Sequence, residues 1–138
     1  KNNKIGFESY YKLLISDDKL PLTKPPWGTI NEVDLVNGKI KWKIPFGYYN
    51  DKNIGVTNVG GISINANLIF ANGTSDNYAF VFRANDGKEL WKYKMPAVGT
   101  APPLIYEYNN KQYVSFLSTG GIDSDSERNS VLLTFSIN

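Results

Sequence analysis

The sequence of 138 residues contains neither cysteine nor histidine. Without cysteine the chain has no disulfide framework, no thiolate-ligated zinc site, no thiol nucleophile and no iron–sulfur cluster of its own. Without histidine it has no Ser-His-Asp triad, no histidine-ligated zinc site and no imidazole to carry protons at neutral pH. The two absences exclude these chemistries, and the lack of cysteine fits any cellular compartment.

The sequence also lacks an excess of charge and a long apolar run. Its 15 basic and 13 acidic side chains leave a net charge of +2, too small and too scattered to indicate a nucleic-acid partner. The longest purely aliphatic run in the stretch at residues 5–15 is Leu13-Leu14-Ile15, whereas a signal peptide needs a core of about 7–15 apolar residues and a spanning helix about 20. We therefore expect neither segment, and because the sequence begins with Lys1 rather than Met we expect a piece of a longer protein.

What the sequence has is many short β-type runs separated by turn signals. β-branched and aromatic residues fill the runs, and Asn-Gly and Asp-Gly pairs, which accept the positive φ angles of tight hairpin turns, follow several of them. This pattern predicts an antiparallel all-β protein. Residues 5–15 alone could form either a short helix or a strand.

A repeat indicates which kind of all-β protein this is. The motif Asn/Asp-Gly-Lys-x-x-Trp occurs at residues 37–42 and again at 86–91, an offset of 49 residues. A period of this length, with four short strands and one tryptophan per unit, is typical of a β-propeller blade. We expect the Gly-containing turn to join the third strand to the outermost fourth, and Trp42 and Trp91 to pack between neighbouring blades.

The repeat divides the chain into about two to two and a half four-stranded blades. Residues 1–28 form a lead-in loop, 29–56 the outer part of one blade, 57–98 a full blade and 99–138 most of the next. A propeller closes with typically four to eight blades, and an unclosed array leaves lateral faces where neighbours should pack. The prediction is therefore a piece of a larger propeller or one completed by other chains, and an isolated piece that self-associates.

The segment at residues 22–42, with Pro-Pro-Trp-Gly-Thr at 25–29, resembles a segment of the pyrroloquinoline-quinone (PQQ) dependent dehydrogenases. Further segments resemble that family in the same order, and the resemblance covers nearly all of residues 17–138. They are Thr57–Gly61, Leu68–Thr74, Gly99–Pro103, Tyr106–Glu107, Lys111–Val114 and Thr119–Gly121. The sequence is most similar to the C-terminal end of the membrane-bound, glucose-dehydrogenase-like branch.

The resemblance implies an eight-bladed propeller with PQQ and a divalent ion, usually calcium, near its axis. The whole protein would oxidise a sugar or an alcohol and pass electrons to quinone, in the periplasm, and any inner-membrane anchor would lie in an N-terminal region outside this sequence. In this family the catalytic Asp and the main metal ligands lie on earlier blades. The resemblance thus implies no catalytic and no metal-binding residue here, and a segment that is inactive alone but supplies part of the cofactor pocket wall.

Four residues are candidates for cofactor binding. Asn58 begins an innermost strand and matches an asparagine that contacts the quinone carbonyls in the glucose-dehydrogenase-like proteins, although a turn-stabilising role is the alternative. Thr119 and Gly120, followed by Gly121, match residues that approach PQQ through backbone and small side chains, or they form a plain strand-end turn. Trp27 is either a cofactor-side residue or a packing anchor against Pro25-Pro26.

Two motifs are better explained without a ligand. The acidic run at residues 123–127 has the alternating spacing of a calcium loop, but Arg128 stands where the loop needs glycine, so a solvated loop is favoured. Asn72-Gly73-Thr74 fits a glycosylation sequon, yet a hairpin turn explains it. The alternative function for the whole chain is a non-catalytic, Trp-docked propeller that serves as a scaffold or a protein-binding module.

Overall fold

A computed structural model of the chain describes residues 14–17, 20–121 and 127–137. In these ranges the chain consists of strands, turns and loops, and no helix there is long and apolar enough to cross a membrane. Nearly all of the segment at 5–15, and most of the acidic run at 123–127, lie outside the described residues.

Eleven strands follow one another within the described ranges. They are β1 (Thr29–Asp34), β2 (Lys39–Pro45), β3 (Tyr48–Tyr49), β4 (Lys52–Asn53), β5 (Ile62–Asn65), β6 (Leu68–Ala71), β7 (Tyr78–Arg83), β8 (Glu89–Lys94), β9 (Leu104–Tyr108), β10 (Lys111–Gly120) and β11 (Arg128–Ile137).

The strands form antiparallel sheets in chain order. Strands β5, β6, β7 and β8 make one four-stranded sheet, while β1 and β2 pair before it and β9, β10 and β11 pair after it. The prediction of an all-β chain built of antiparallel, four-stranded blades is therefore confirmed. A small hairpin of β3 and β4 lies between the first two sheets and was not predicted.

The two ends of the sheets differ. At one end tight turns at residues 35–38, 66–67, 84–86 and 109–110 join successive strands. At the other end the chain enters β5 and β7, leaves β6 and β8, and crosses from sheet to sheet, since Ile62 pairs with Ala71 and Tyr78 with Lys94. We call this second end, with its adjoining loops, the connection face.

The core lies between the sheets rather than within one. Ile30 and Phe46 pack with Phe80 and Phe82 between the first two sheets, and a second cluster around Phe70 and Phe116 fills the space between the last two. An aromatic ring placed face-on to a neighbouring sheet removes a large apolar area from water, which favours stacking of the sheets.

Both repeated tryptophans lie between sheets, as predicted. The Trp42 indole Nε1 donates a hydrogen bond to the Ala84 carbonyl oxygen at 3.0 Å. A Cβ built on Gly87 would lie 2.9 Å from the Trp42 ring, so the ring rests directly on the glycine. Trp91 meets Phe135 of β11 edge to face, with 5.0 Å between the ring centroids.

The expected hairpin turn at Asn72-Gly73 is displaced in the structure. The turn lies three residues later, at residues 75–76, where the Asn77 amide donates to the Thr74 carbonyl oxygen at 2.9 Å. Gly73 instead accepts a hydrogen bond from the Val59 amide at 2.9 Å, which extends the pairing past the end of β6. Asn72 is consequently buried, with only 1% of its surface exposed, so the sequon is not accessible in the folded chain.

Candidate functional site

The connection face brings the four candidate residues to the same end of the sheets. Trp27 directly precedes the segment that enters β1, Asn58 precedes β5, and Thr119 and Gly120 end β10. Strand ends that share one side of an antiparallel array meet there, although the residues are up to 93 positions apart (120 − 27) in the sequence.

The backbone around Asn58 is held on both sides. Asn58 forms an isolated antiparallel bridge with Thr74. The Val59 amide donates to the Gly73 carbonyl oxygen, and the Ser75 amide donates to the Thr57 carbonyl oxygen, both at 2.9 Å. The exposed side-chain amide of Asn58 is thus carried on a fixed segment, which is the condition for holding a ligand in one orientation.

Close backbone contacts link Asn58 to the lead-in segment. A Cβ built on Gly28 would lie 2.1 Å from the Val56 carbonyl oxygen and 2.8 Å from Asn58 Nδ2. Only glycine allows this approach, because any side chain at position 28 would overlap the backbone of Val56 in the loop between β4 and β5. Trp27 therefore enters the connection face next to Asn58.

The link continues to the last sheet. A Cβ built on Gly73 would lie 2.2 Å from Gly60 Cα and 3.1 Å from the Gly99 carbonyl oxygen. The Val98 carbonyl oxygen accepts hydrogen bonds from the amides of Thr119, at 3.1 Å, and Gly120, at 2.8 Å. A continuous set of backbone contacts thus joins the candidate residues of neighbouring sheets.

Thr119 and Gly120 differ in what the structure requires of them. The Thr119 hydroxyl lies 3.4 Å from the hydroxyl of the exposed Thr100, so it presents a polar group at the rim of the face. Gly120 has φ +68°, and a Cβ there would overlap the Glu127 carbonyl oxygen. The bulge at the end of β10 therefore requires glycine for a structural reason, whatever else the residue does.

Trp27 forms one wall of a cleft of about 320 Å³. Its indole Nε1 donates to the Thr23 carbonyl oxygen at 2.7 Å, and its ring meets Tyr49 edge to face at 6.5 Å. These contacts fix the orientation of the indole. The polar residues that line the rest of the cleft are Asn50, Thr57, Ser75 and Asp76.

Tyr48 also lines this cleft, and its side chain contacts one acidic and one basic residue. Its hydroxyl donates to Glu89 at 2.8 Å, and Lys92 Nζ lies 3.6 Å above the ring centre. Burial, assisted by the hydrogen bond to Glu89 and the nearby carboxylate charge, raises the pKa of Tyr48 to about 12. Tyr48 is therefore neutral at physiological pH and acts as a packing and hydrogen-bonding group.

One feature of this site, the cleft beside the β3–β4 hairpin, was not found from the sequence. The cleft depends on Tyr49 and Asn50, which the β3–β4 hairpin presents between two sheets. The available signal was Asn50-Asp51 between aromatic and polar neighbours, since both residues adopt positive φ, at 48° and 60°. Among the described residues, no group of three or more acidic side chains is placed to hold a metal ion.

Comparison with known proteins supports a single family. The family model for the glucose/ethanol/alcohol dehydrogenase β-propeller domain, named for PQQ, matches residues 2–114. The quinoprotein glucose dehydrogenase A of Acinetobacter calcoaceticus is 38% identical over 112 residues, which is 73% of this chain and 14% of that protein. The quinoprotein glucose dehydrogenase of Escherichia coli strain K12 is 37% identical over 114 residues, 74% of this chain and 14% of that protein.

A solved structure shows the same fold. The crystal structure of the quinohemoprotein alcohol dehydrogenase from Comamonas testosteroni superposes with a TM-score of 0.66 at 23% identity, covering 87% of this chain and 18% of that one. The chain therefore spans about a seventh of the length of the two curated relatives.

Proposed function

The chain belongs to the β-propeller domain family of the PQQ-dependent glucose, ethanol and alcohol dehydrogenases, and on that basis we propose that it is part of an enzyme that oxidises a sugar or an alcohol. PQQ is the cofactor of these quinoproteins and, when bound, accepts the electrons removed from the substrate. Within that enzyme the chain supplies part of the wall of the cofactor pocket and is inactive alone. The electrons then pass to a quinone.

The observation that carries the proposal is the gathering of Asn58, Thr119, Gly120 and Trp27 on the connection face. The exposed amide of Asn58 donates hydrogen bonds without titrating, so it suits a carbonyl oxygen of an ortho-quinone at any physiological pH. The fixed backbone on both sides of Asn58 preserves its direction when the ligand is absent. The residues present thus fit one side of a flat, carbonyl-bearing cofactor.

The other candidate residues complete this side in different ways. Thr119 offers a hydroxyl at the rim, and the proposed contact of Gly120 with the cofactor is through its backbone atoms, because the Glu127 carbonyl oxygen fills the space of its missing side chain. Trp27 offers an oriented aromatic wall one residue from Gly28, which contacts Asn58. The catalytic Asp and the calcium ligands are proposed to lie outside this chain.

The remaining propeller blades are the proposed partners. The turn at Leu35–Gly38 stands 49 residues before the turn at Ala84–Gly87, on which Trp42 rests. No described residue covers the first turn: a Cβ on Gly38 meets nothing within 4 Å, and Leu35 is 90% exposed. We propose that an aromatic side chain of a preceding blade covers this turn as Trp42 covers the next one.

The family membership favours the dehydrogenase over a non-catalytic scaffold. A scaffold needs only the docked tryptophans, whereas the matched region also includes Trp27 and Asn58 on the connection face. We also propose a periplasmic location, with any inner-membrane anchor in a region outside this chain, as the resemblance implies.

The test uses the full-length protein reconstituted with PQQ and calcium. Replacement of Asn58 by Ala removes one hydrogen bond to the cofactor, and we expect PQQ affinity to fall by about 5–10-fold, because a hydrogen bond contributes about 1 kcal/mol. Fluorescence titration with PQQ measures this effect separately from turnover. Asn67→Ala, at the opposite end of the sheets, is the matched control and should bind PQQ normally.

Two outcomes would overturn different parts of the proposal. Unchanged PQQ affinity and turnover in Asn58→Ala would remove Asn58 from the pocket. If the reconstituted wild-type protein oxidises no sugar and no alcohol in a dye-linked assay, the proposed activity itself is wrong.

A further inference from the structure

The two repeated turns carry different side-chain pairs at matching positions. In the second turn Arg83 Nε lies 3.3 Å from Asp86 Oδ1. Residues 49 positions earlier are Asp34 and Asn37, and there the Asn37 side-chain Nδ2 donates to Asp34 Oδ2 at 2.7 Å. An Arg–Asp pair in one turn is thus replaced by an Asp–Asn pair in the other.

The first turn is tightly built around the Asp34 carboxylate. Asp34 Oδ1 accepts hydrogen bonds from the amides of Val36, at 2.9 Å, and Asn37, at 3.2 Å. The hydrogen bond from the Asn37 side chain, with these two backbone bonds, lowers the pKa of the Asp34 carboxyl. Asp34 is therefore ionised at neutral pH, and Asn37 faces a full negative charge.

Asn37 is followed by glycine in an open position. The Asn37 side chain is exposed, and Gly38 has space around its Cα, with nothing within 4 Å of a built Cβ. The Gly38 amide donates to the Asp34 carbonyl oxygen at 2.8 Å, so its nitrogen approaches the Asn37 side chain once this hydrogen bond opens, and no Cβ then blocks the approach. In the second turn the matching Asp86 stays exposed although Trp42 rests on Gly87, so the Asn37 side chain stays accessible to water even when a neighbouring blade covers Gly38.

We propose that Asn37 is a site of spontaneous deamidation. The Gly38 backbone nitrogen attacks Asn37 Cγ and loses its proton, the side-chain amide leaves as ammonia, and a cyclic succinimide forms. Water then adds to one of the two imide carbonyls and opens the ring to aspartate or isoaspartate. No oxidant, metal or enzyme is needed, and the net change is the exchange of an amide for a carboxylate. This inference is independent of the proposed enzyme activity.

The chain contains a matched internal control. Its other Asn-Gly pair is Asn72-Gly73. Asn72 is 1% exposed, and Gly73 is held between Gly60 and Gly99, with its carbonyl bonded to the Val59 amide. Deamidation of Asn72 therefore requires local opening of the sheet, whereas deamidation of Asn37 requires only that an exposed turn release the hydrogen bonds from the Gly38 amide and the Asn37 side chain to Asp34.

The product changes the electrostatics of the turn. An aspartate at position 37 stands beside the ionised Asp34, so two like charges replace a hydrogen-bonded pair. The second turn tolerates Asp86 because Arg83 faces it. Modification therefore weakens the turn at Leu35–Gly38, which is the surface that a preceding blade would cover.

Incubation of the folded protein in mildly alkaline buffer, followed by peptide mapping with mass spectrometry, measures both sites at once. We expect Asn37 to convert at least about tenfold faster than Asn72, since each 1.4 kcal/mol of opening free energy slows a reaction tenfold. In the urea-unfolded chain the two rates should become similar, because each asparagine is then simply followed by glycine. Equal rates in the folded protein, or faster loss of Asn72, would overturn the proposal.

Three variants test the consequence. Asn37→Asp should melt at a lower temperature than the wild type, and the double variant with Asp34→Asn, which keeps an acceptor for the Val36 and Asn37 amides but removes the like charge, should recover most of the loss. Asn37→Ser should neither deamidate at this position nor acquire the charge. An unchanged melting temperature in Asn37→Asp would show that the like-charge contact has no effect on stability.

Discussion

Tyr48 shows how a single side chain joins two sheets. It comes from the unpredicted β3–β4 hairpin, and it reaches Glu89 and Lys92 on β8, 41 and 44 residues away in the sequence (89 − 48 and 92 − 48). Its ring also stacks on Phe80, with an interplanar angle of 10°. A phenol can combine these roles because its body is apolar and its tip is a hydrogen-bond donor.

The raised pKa of Tyr48 predicts a loss of stability at alkaline pH. With the pKa near 12 in the folded chain and 10.0 as the ordinary value, the folded state holds the proton that the unfolded state releases. The raised pKa of Tyr48 therefore contributes to the free energy of unfolding in full below pH 10, and this contribution is lost as the pH rises towards 12. We expect Tyr48→Phe to remove a tyrosine that titrates late, near pH 12, in absorbance titrations. The melting temperature of the variant should also depend less on pH between 10 and 12.

The matched control for Tyr48 is the exposed Tyr108. Tyr108 is 65% exposed, so Tyr108→Phe removes one phenol without changing the surroundings of Tyr48. If the late step survives in Tyr48→Phe, another tyrosine carries it and the assignment is wrong.

At the scale of elements, the repeated turn determines how one sheet docks on the next. Gly38 and Gly87 have nearly the same backbone, with φ of +65° and +70°. Their surroundings differ, because Trp42 rests on Gly87 while the described residues leave Gly38 uncovered. Comparing substitutions at the two glycines therefore separates the free-energy cost of a side chain at positive φ from the cost of disturbing the docked Trp42 ring.

Alanine at Gly38 and alanine at Gly87 should lower the free energy of unfolding by different amounts. Gly38→Ala carries only the penalty of a positive φ, about 1–2 kcal/mol, whereas Gly87→Ala must also displace the Trp42 ring, for about 1–3 kcal/mol more. Urea unfolding measures both free energies. In a Trp42→Ala background the two substitutions should cost about the same, and an excess for Gly87 that persists there would disprove the docking explanation.

At the scale of the whole molecule, the last sheet has a covered side and an open side. Ile105, Val114 and Leu133 pack towards the four-stranded sheet, and the alternating residues Leu104 and Leu132 are 63% and 65% exposed. Alternation along a strand sends neighbouring side chains to opposite faces. An apolar face of this kind needs another sheet to cover it.

We expect the isolated chain to self-associate through this open side. Sedimentation velocity should show a mean mass that rises with concentration, and replacing Leu104 and Leu132 by Lys should shift the chain to the monomer. Leu22→Lys is the control, because Leu22 is 65% exposed but lies in the lead-in segment. A wild-type chain that is monomeric and stable at every concentration would contradict the prediction.

The sequence alone determined the strand pattern, the 49-residue repeat and the docking of Trp42, because alternation, turn residues and repeat period are local properties of the chain. It also indicated the family from the ordered motifs. The roles proposed for Asn58 and Thr119 in the pocket are those that the resemblance implies.

Only the tertiary structure showed that Asn72 is buried, that the β3–β4 hairpin forms and that Trp27 and Tyr49 share a cleft. Each of these features depends on contacts between distant segments, such as the pairing of Gly73 with Val59. An Asn-Gly pair has the same intrinsic turn preference at residues 37–38 and 72–73. Whether the chain turns there or continues to pair is decided by the neighbour whose backbone groups it can satisfy.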